Sequence, residues 1–173
     1  MKHENGFTFI ELLIYIALMA IFIIGTIDFG WNIIYGNVKS KNYEEVTENL
    51  RFAEKRILFE VRNASGINSV TSQSICLSNS DSTRNPTRIY LSGSVLHIGW
   101  GGGSPTCASL TNDVALTTNL VNVTSLHFVN LTNGGGTTKN IQFSITVSAI
   151  NPSGRSEWDR VQTFESAGEI RSN

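Results

Sequence analysis

Residues 7–27 read FTFIELLIYIALMAIFIIGTI, 21 residues whose one charged side chain is Glu11. About 20 mostly apolar residues cross a bilayer as a helix, so this run is long enough to do so. Only MKHENG precedes it, with Lys2 and Glu4 offsetting each other. A secretory signal would have a basic start, a shorter apolar core and a small-residue cleavage site after it. The stretch Thr26–Trp31 offers no such site, and the run is expected to stay with the mature chain. Lys2 and the α-amino group lie on one side, Lys39 and Lys41 on the other. Flanking charge therefore does not fix the orientation.

Around this run the chain looks ordinary. It has 173 residues, 40% hydrophobic and 16% charged, with a formal net charge of -1. Such a length suits one domain with an appendage. A balance of 13 basic and 14 acidic residues leaves no electrostatic footprint for nucleic acid. Two cysteines are too few for a zinc site of their own or for a disulfide-rich scaffold. The serines lack a nucleophile-elbow context, the three histidines are isolated, and no carboxylate pair stands out. No catalytic residue, metal or cofactor is expected, and the chain reads as a non-enzyme. Gly99–Pro105 lacks the Lys-Ser/Thr of a phosphate-binding loop and reads as a mobile surface loop, as does Asn133–Gly136.

A carboxylate inside an apolar helix costs a few kcal/mol, so Glu11 should have a partner or a task. Its surroundings, Gly6-Phe7-Thr8-Phe9-Ile10-Glu11-Leu12-Leu13, closely resemble the processing signature of type IV prepilins and pseudopilins. The resemblance implies that a prepilin peptidase cuts after Gly6 and that Phe7 becomes an N-methylated first residue. Glu11 is then the fifth residue of the mature chain. Glycine leaves the scissile peptide open to a protease. The carboxylate of Glu11 can neutralise the new amine of Phe7, its own or a neighbour's, and an unpaired charge in low dielectric is costly. Glu11 is thus expected to report register during assembly. The leader is less basic than the family pattern.

The helical pattern resumes after the apolar run. Val46, Leu50, Ala53, Ile57, Val61 and Ala64 recur at steps of three and four, one face of an amphipathic helix. Charged residues, Glu60 among them, fill much of the remainder. Gly25, Gly30 and Gly36 mark expected bends, and Gly66 suits the left-handed position just past a helix end. One long helix is expected from about Phe9 to Ala64.

From residue 65 onward there are six basic and six acidic side chains against 42 Ser, Thr and Asn. Strand patterns appear at Ile67–Leu77, Arg88–Leu91, Val95–Trp100, Val121–Leu131, Ile141–Ile150 and Val161–Phe164. Arg88–Ile98 reads as a hairpin turning at Ser92-Gly93. The strict alternation of Ile141–Ile150 predicts a strand with one buried face. The fold expected is α+β and pilin-like: a long N-terminal helix, its amphipathic half packed on an antiparallel sheet. The divisions are residues 1–6 leader, 7–30 membrane or filament-core helix, 31–64 amphipathic helix, and 65–173 a periplasmic or extracellular head.

This order of elements resembles the J-type minor pseudopilins of type II secretion and the minor pilins of type IV pili. The resemblance implies a minor subunit that initiates or caps a filament. Its implied partners are the prepilin peptidase, other pilin or pseudopilin subunits, the membrane, and an inner-membrane assembly platform with its ATPase. The head would lie outside the cytoplasm, first on a single-pass anchor and then in a periplasmic or cell-surface filament. Competing readings are an abundant structural pilin and a membrane-anchored binding protein or adhesin. Cys76 and Cys107 would both lie outside the cytoplasm, where a disulfide can form; two buried free thiols are the alternative. Trp100 and Trp158 are expected to pack within the head or to anchor a partner.

Overall fold

The computed structural model describes residues 8–134 and 138–171. The chain divides into two units, Met1–Ser40 and Lys41–Asn173. The helix α1, Phe9–Asn63, contributes to both.

In the first unit α1 is helical through Gly25, Gly30 and Gly36, so none of the three ends the helix. A glycine costs about 1 kcal/mol in a helix, too little to break so long a ladder. A Cβ at any of the three would meet nothing within 4 Å. Every side chain from Phe9 to Phe29 is exposed.

In the second unit the helical periodicity does what the spacing predicts. Val46, Leu50, Ala53, Ile57, Val61 and Ala64 are all buried. They meet two antiparallel sheets, one of five strands in the order β1-β2-β3-β4-β5 and one of three in the order β6-β7-β8. The strands are β1 Ala64–Val70, β2 Ser74–Asn79, β3 Thr87–Ser92, β4 Val95–Trp100, β5 Asn112–Ala115, β6 Val121–Asn130, β7 Asn140–Ala149 and β8 Val161–Glu169. Ile75, Leu77, Ile89, Leu96 and Ile98 form the core side of the larger sheet. Alternation along β7 buries Ile141, Phe143, Ile145 and Val147, as its sequence predicts. In β6 the alternation changes phase: Val121 and Val123 are buried, then Leu126 and Phe128. A bulge between Val123 and Ser125 supplies the extra residue that keeps both pairs facing inward. Phe143 lies 6.3 Å from Phe128 and 6.4 Å from Phe164, ring centre to ring centre.

Several local expectations change. The segment Ile67–Leu77 is two strands, because the Thr71 hydroxyl accepts the Ser74 amide at 3.0 Å and turns the chain. Gly66 is not a helix cap. It sits in β1 opposite Ser78, while the carbonyl of Arg62 accepts the amide of Arg171 at 3.4 Å. The β3–β4 hairpin turns at Gly93-Ser94, one residue later than expected, with Ser92 paired to Val95. Gly93 has φ +62°, the conformation a tight hairpin asks of its first turn residue. The strand β5 had no sequence signal, and β8 runs five residues past Phe164 to Glu169.

Two polar side chains are buried where the helix meets the sheets. The Asn49 carboxamide accepts the Thr118 amide at 2.8 Å and donates to the Thr118 hydroxyl at 3.2 Å. Glu60, expected on the solvated face, is buried, and Arg56 and Arg84 each donate to its Oε1 at 2.7 Å. The Arg84 guanidinium also lies over the Trp100 ring, 5.2 Å from its centre. One carboxylate therefore ties α1 to the β2–β3 loop and to β4.

Candidate functional site: the start of the apolar helix

Thr8 sets where the helix begins. Its carbonyl accepts the amides of Glu11 at 3.1 Å and Leu12 at 3.2 Å, and its hydroxyl accepts the Glu11 amide at 3.4 Å. Thr8 is thus the N-cap and Glu11 the third helical residue, the spacing of a capping box. Sequence reading passed over this role of Thr8, although Thr8-x-x-Glu11 was its signal. Glu11 lies in the first turn of α1, where unpaired amides and the helix macrodipole favour a negative charge. Its carboxylate is exposed and has a favourable place at the positive end of the helix before any partner arrives. Gly6 and Phe7 lie outside the described residues.

The helix that Thr8 opens is long and apolar enough to cross a membrane. Its first charged residue after Glu11 is Asp28. Beyond Asp28, Trp31 and Tyr35 stack one turn apart with ring centres 5.9 Å apart, aromatic side chains of the kind enriched at a membrane–water boundary.

Residues 1–27 match the family model of the prokaryotic N-terminal methylation motif. The match covers the N-terminal 27 of 173 residues and supports a prepilin- or pseudopilin-type N-terminus. Subunits with this motif are processed by prepilin peptidase and assemble with other pilins. The prepilin-type motif indicates a structural subunit rather than an enzyme and, with the apolar helix behind it, a single-pass membrane-anchored protein. No curated protein and no solved structure matches the chain.

The head holds the other residues singled out by sequence. Cys76 and Cys107 are joined, with Cα atoms 6.1 Å apart. Their bond pins residues 101–110 against β2. The glycine loop is tied down as well: the amides of Gly101 and Gly103 donate to the carbonyls of Pro86 and Asn85 at 3.0 and 3.2 Å. Gly102 has φ +89°, and a Cβ there would collide with the Ser109 carbonyl. The loop is built for close backbone packing, not for a phosphate. Trp100 packs partly buried against the core, and the carbonyl of Trp158 accepts a hydrogen bond from Asn42 at 3.1 Å.

His97, expected to be isolated, has partners. Asp113 accepts from the Tyr90 phenol at 2.6 Å and lies 3.2 Å from His97 Nδ1. The bond to Asp113 pushes the Tyr90 phenol above its ordinary value, with desolvation adding to the shift. Sequence reading missed this cluster because it joins three strands, β3, β4 and β5, and β5 was not foreseen. Among the described residues no group of three or more His, Cys, Asp or Glu could hold a metal ion.

Proposed function

We propose that the chain is a minor subunit of a type II secretion pseudopilus or a type IV pilus, one that initiates or caps the filament. Residues 1–6 are the leader, and the peptidase cuts between Gly6 and Phe7. Phe7 is then methylated, and Glu11 pairs with a Phe7 amine to set register. Residues 7–30 cross the membrane and later enter the filament core, 31–64 carry the amphipathic helix, and 65–173 form the head outside the cytoplasm. An assembly platform driven by an ATPase lifts the subunit out of the membrane.

The observation that carries this reading is the methylation-motif match over residues 1–27, within which the capped apolar helix begins at Phe9. The carboxylate of Glu11 stands in the first turn of that helix and forms no ion pair with another described residue, which leaves it open to a neighbouring amine. The resemblance of the head's sequence pattern to J-type minor pseudopilins is what suggests the minor role. The reading is tested in cells with and without an active prepilin peptidase. The chain should lose residues 1–6 only where the peptidase works and should then co-purify with filaments. An unchanged mass in both strains contradicts the reading.

An abundant structural subunit, which would carry the same N-terminal motif, is the second reading. Subunit stoichiometry in purified filaments separates the two.

A further inference from the structure

The five-stranded sheet ends at β1, whose far side pairs with no other strand. Among the described residues, the backbone of residues 66–70 is hydrogen-bonded to β2 and to no other element. Beside this edge runs a groove of about 290 Å³, with residues 66–70 as one wall and Asn130, Thr132 and Lys139 as the other. The register shift between Ile67 and Ser69 lets Ile67 and Val70 both pack half-buried against the core, so the β1 wall is partly apolar. Among the described residues, Lys139 is the one charged side chain lining the groove, and it forms no ion pair with any of them. Its ammonium reaches β1: a Cβ built on Gly66 would lie 3.9 Å from Lys139 Nζ. In the same wall the Thr132 hydroxyl is buried without a hydrogen-bond partner among the described residues. None of these side chains belongs to α1.

We propose that this edge docks an extended acidic segment of a partner protein, added beside β1 as a sixth strand of that sheet, with its carboxylate on Lys139. The proposal goes beyond the filament reading and does not depend on it. An edge strand presents unpaired amides and carbonyls to any extended chain. A strand added there gains main-chain hydrogen bonds, while the side chains around the groove decide which strand is accepted. Residues 66–70 span about 17 Å at ~3.3 Å per residue, room for roughly five residues of a partner. Alternate side chains of that strand point to opposite faces, so an apolar residue can follow Ile67 and Val70 inward while a polar one stays in water. Lys139 supplies the selectivity. With no acidic side chain beside it, the ammonium favours a strand that brings one, and the resulting bond is charge-assisted. Bulges and lysines also guard edges against stray pairing, and charge separates the two roles. A guard opposes every strand, whereas a docking lysine prefers the acidic one.

The test is an NMR titration of the full-length chain in detergent micelles with two short capped peptides that alternate Thr and Val. One carries a central Asp, the other an Asn in its place. The Asp peptide should shift the amides of residues 66–70 and bind about three- to five-fold more tightly than the Asn peptide, the scale of a partly exposed ion pair. Lys139→Gln should erase that preference and leave the affinity for the Asn peptide unchanged, while Lys139→Arg should keep the preference. Amides at residues 66–70 that stay in place with both peptides would overturn the docking edge. Equal binding of the two peptides by the parent chain would overturn the acidic occupant. Tighter binding of both peptides by Lys139→Gln would make the lysine a guard of the edge and sink the proposal. The same shifts on concentrating the chain without any peptide would replace the partner by a second copy and overturn the choice of occupant.

Discussion

Removing the buried carboxylate of Glu60 should loosen the head. Glu60 is 1% exposed as a side chain and takes both Arg56 and Arg84 at 2.7 Å. Glu60→Ala leaves two guanidinium groups facing a cavity, and Arg56 Nε is already buried without a hydrogen bond. Removing one member of a buried ion pair typically costs about 3–5 kcal/mol. Both arginine side chains are 30% exposed and can turn partly to water, which lowers the expectation to about 2–3 kcal/mol. In a domain of this size each kcal/mol moves the melting temperature by roughly 3–5 °C. The full-length variant in detergent should therefore melt about 6–15 °C below the parent, followed by the loss of β-sheet circular dichroism. Glu60→Gln should fall between the two, since its amide oxygen still accepts one arginine. The double change Glu60→Ala/Arg84→Ala should cost less than the sum of the single changes. A Glu60→Ala protein that melts within 1–2 °C of the parent would refute the reasoning, because a carboxylate this buried would then be holding nothing.

The remaining predictions concern both ends of the molecule. Glu11→Leu should leave leader removal largely intact but impair entry into filaments; normal incorporation, measured on sheared filaments, would remove the register role from Glu11. Thr8→Val deletes the N-cap and should weaken the first turn by about 1 kcal/mol, while Thr8→Ser should behave as the parent; faster amide exchange at Glu11 and Leu12 is the readout. Reduction of the Cys76–Cys107 bond should add two hydrogens to the mass and cost about 3–4 kcal/mol for the loop it closes, whose ends are 31 residues apart. The Tyr90 phenol is held above its ordinary value by its bond to Asp113. Its contribution to stability is complete below about pH 10 and lost as the pH rises through the raised value. Tyr90→Phe should erase that alkaline step in the pH dependence of melting, and persistence of the step would contradict the assignment.

What the sequence revealed follows from how local each signal is. The packing stripe Val46–Ala64 and the alternation of Ile141–Val147 were legible because one element carries its own period. The bulge in β6 and the turn at Thr71 were not, since each depends on a neighbouring strand to decide the register. Glu60 looked like one more charge on a solvated face. Arg84, 24 residues away, is what brings it inside. At the candidate site the family motif was readable in Gly6, Phe7 and Glu11, and the Thr8 cap was written in the same stretch as a spacing. The Tyr90–His97–Asp113 cluster needed the sheet order, which no linear pattern contains.

The claim that this chain is a processed filament subunit meets its most direct test at the amino terminus. Mass spectrometry of the mature protein from its native membrane should find a chain that begins at Phe7 and carries one methyl group on its amine. A mature protein that still begins at Met1 would contradict the account.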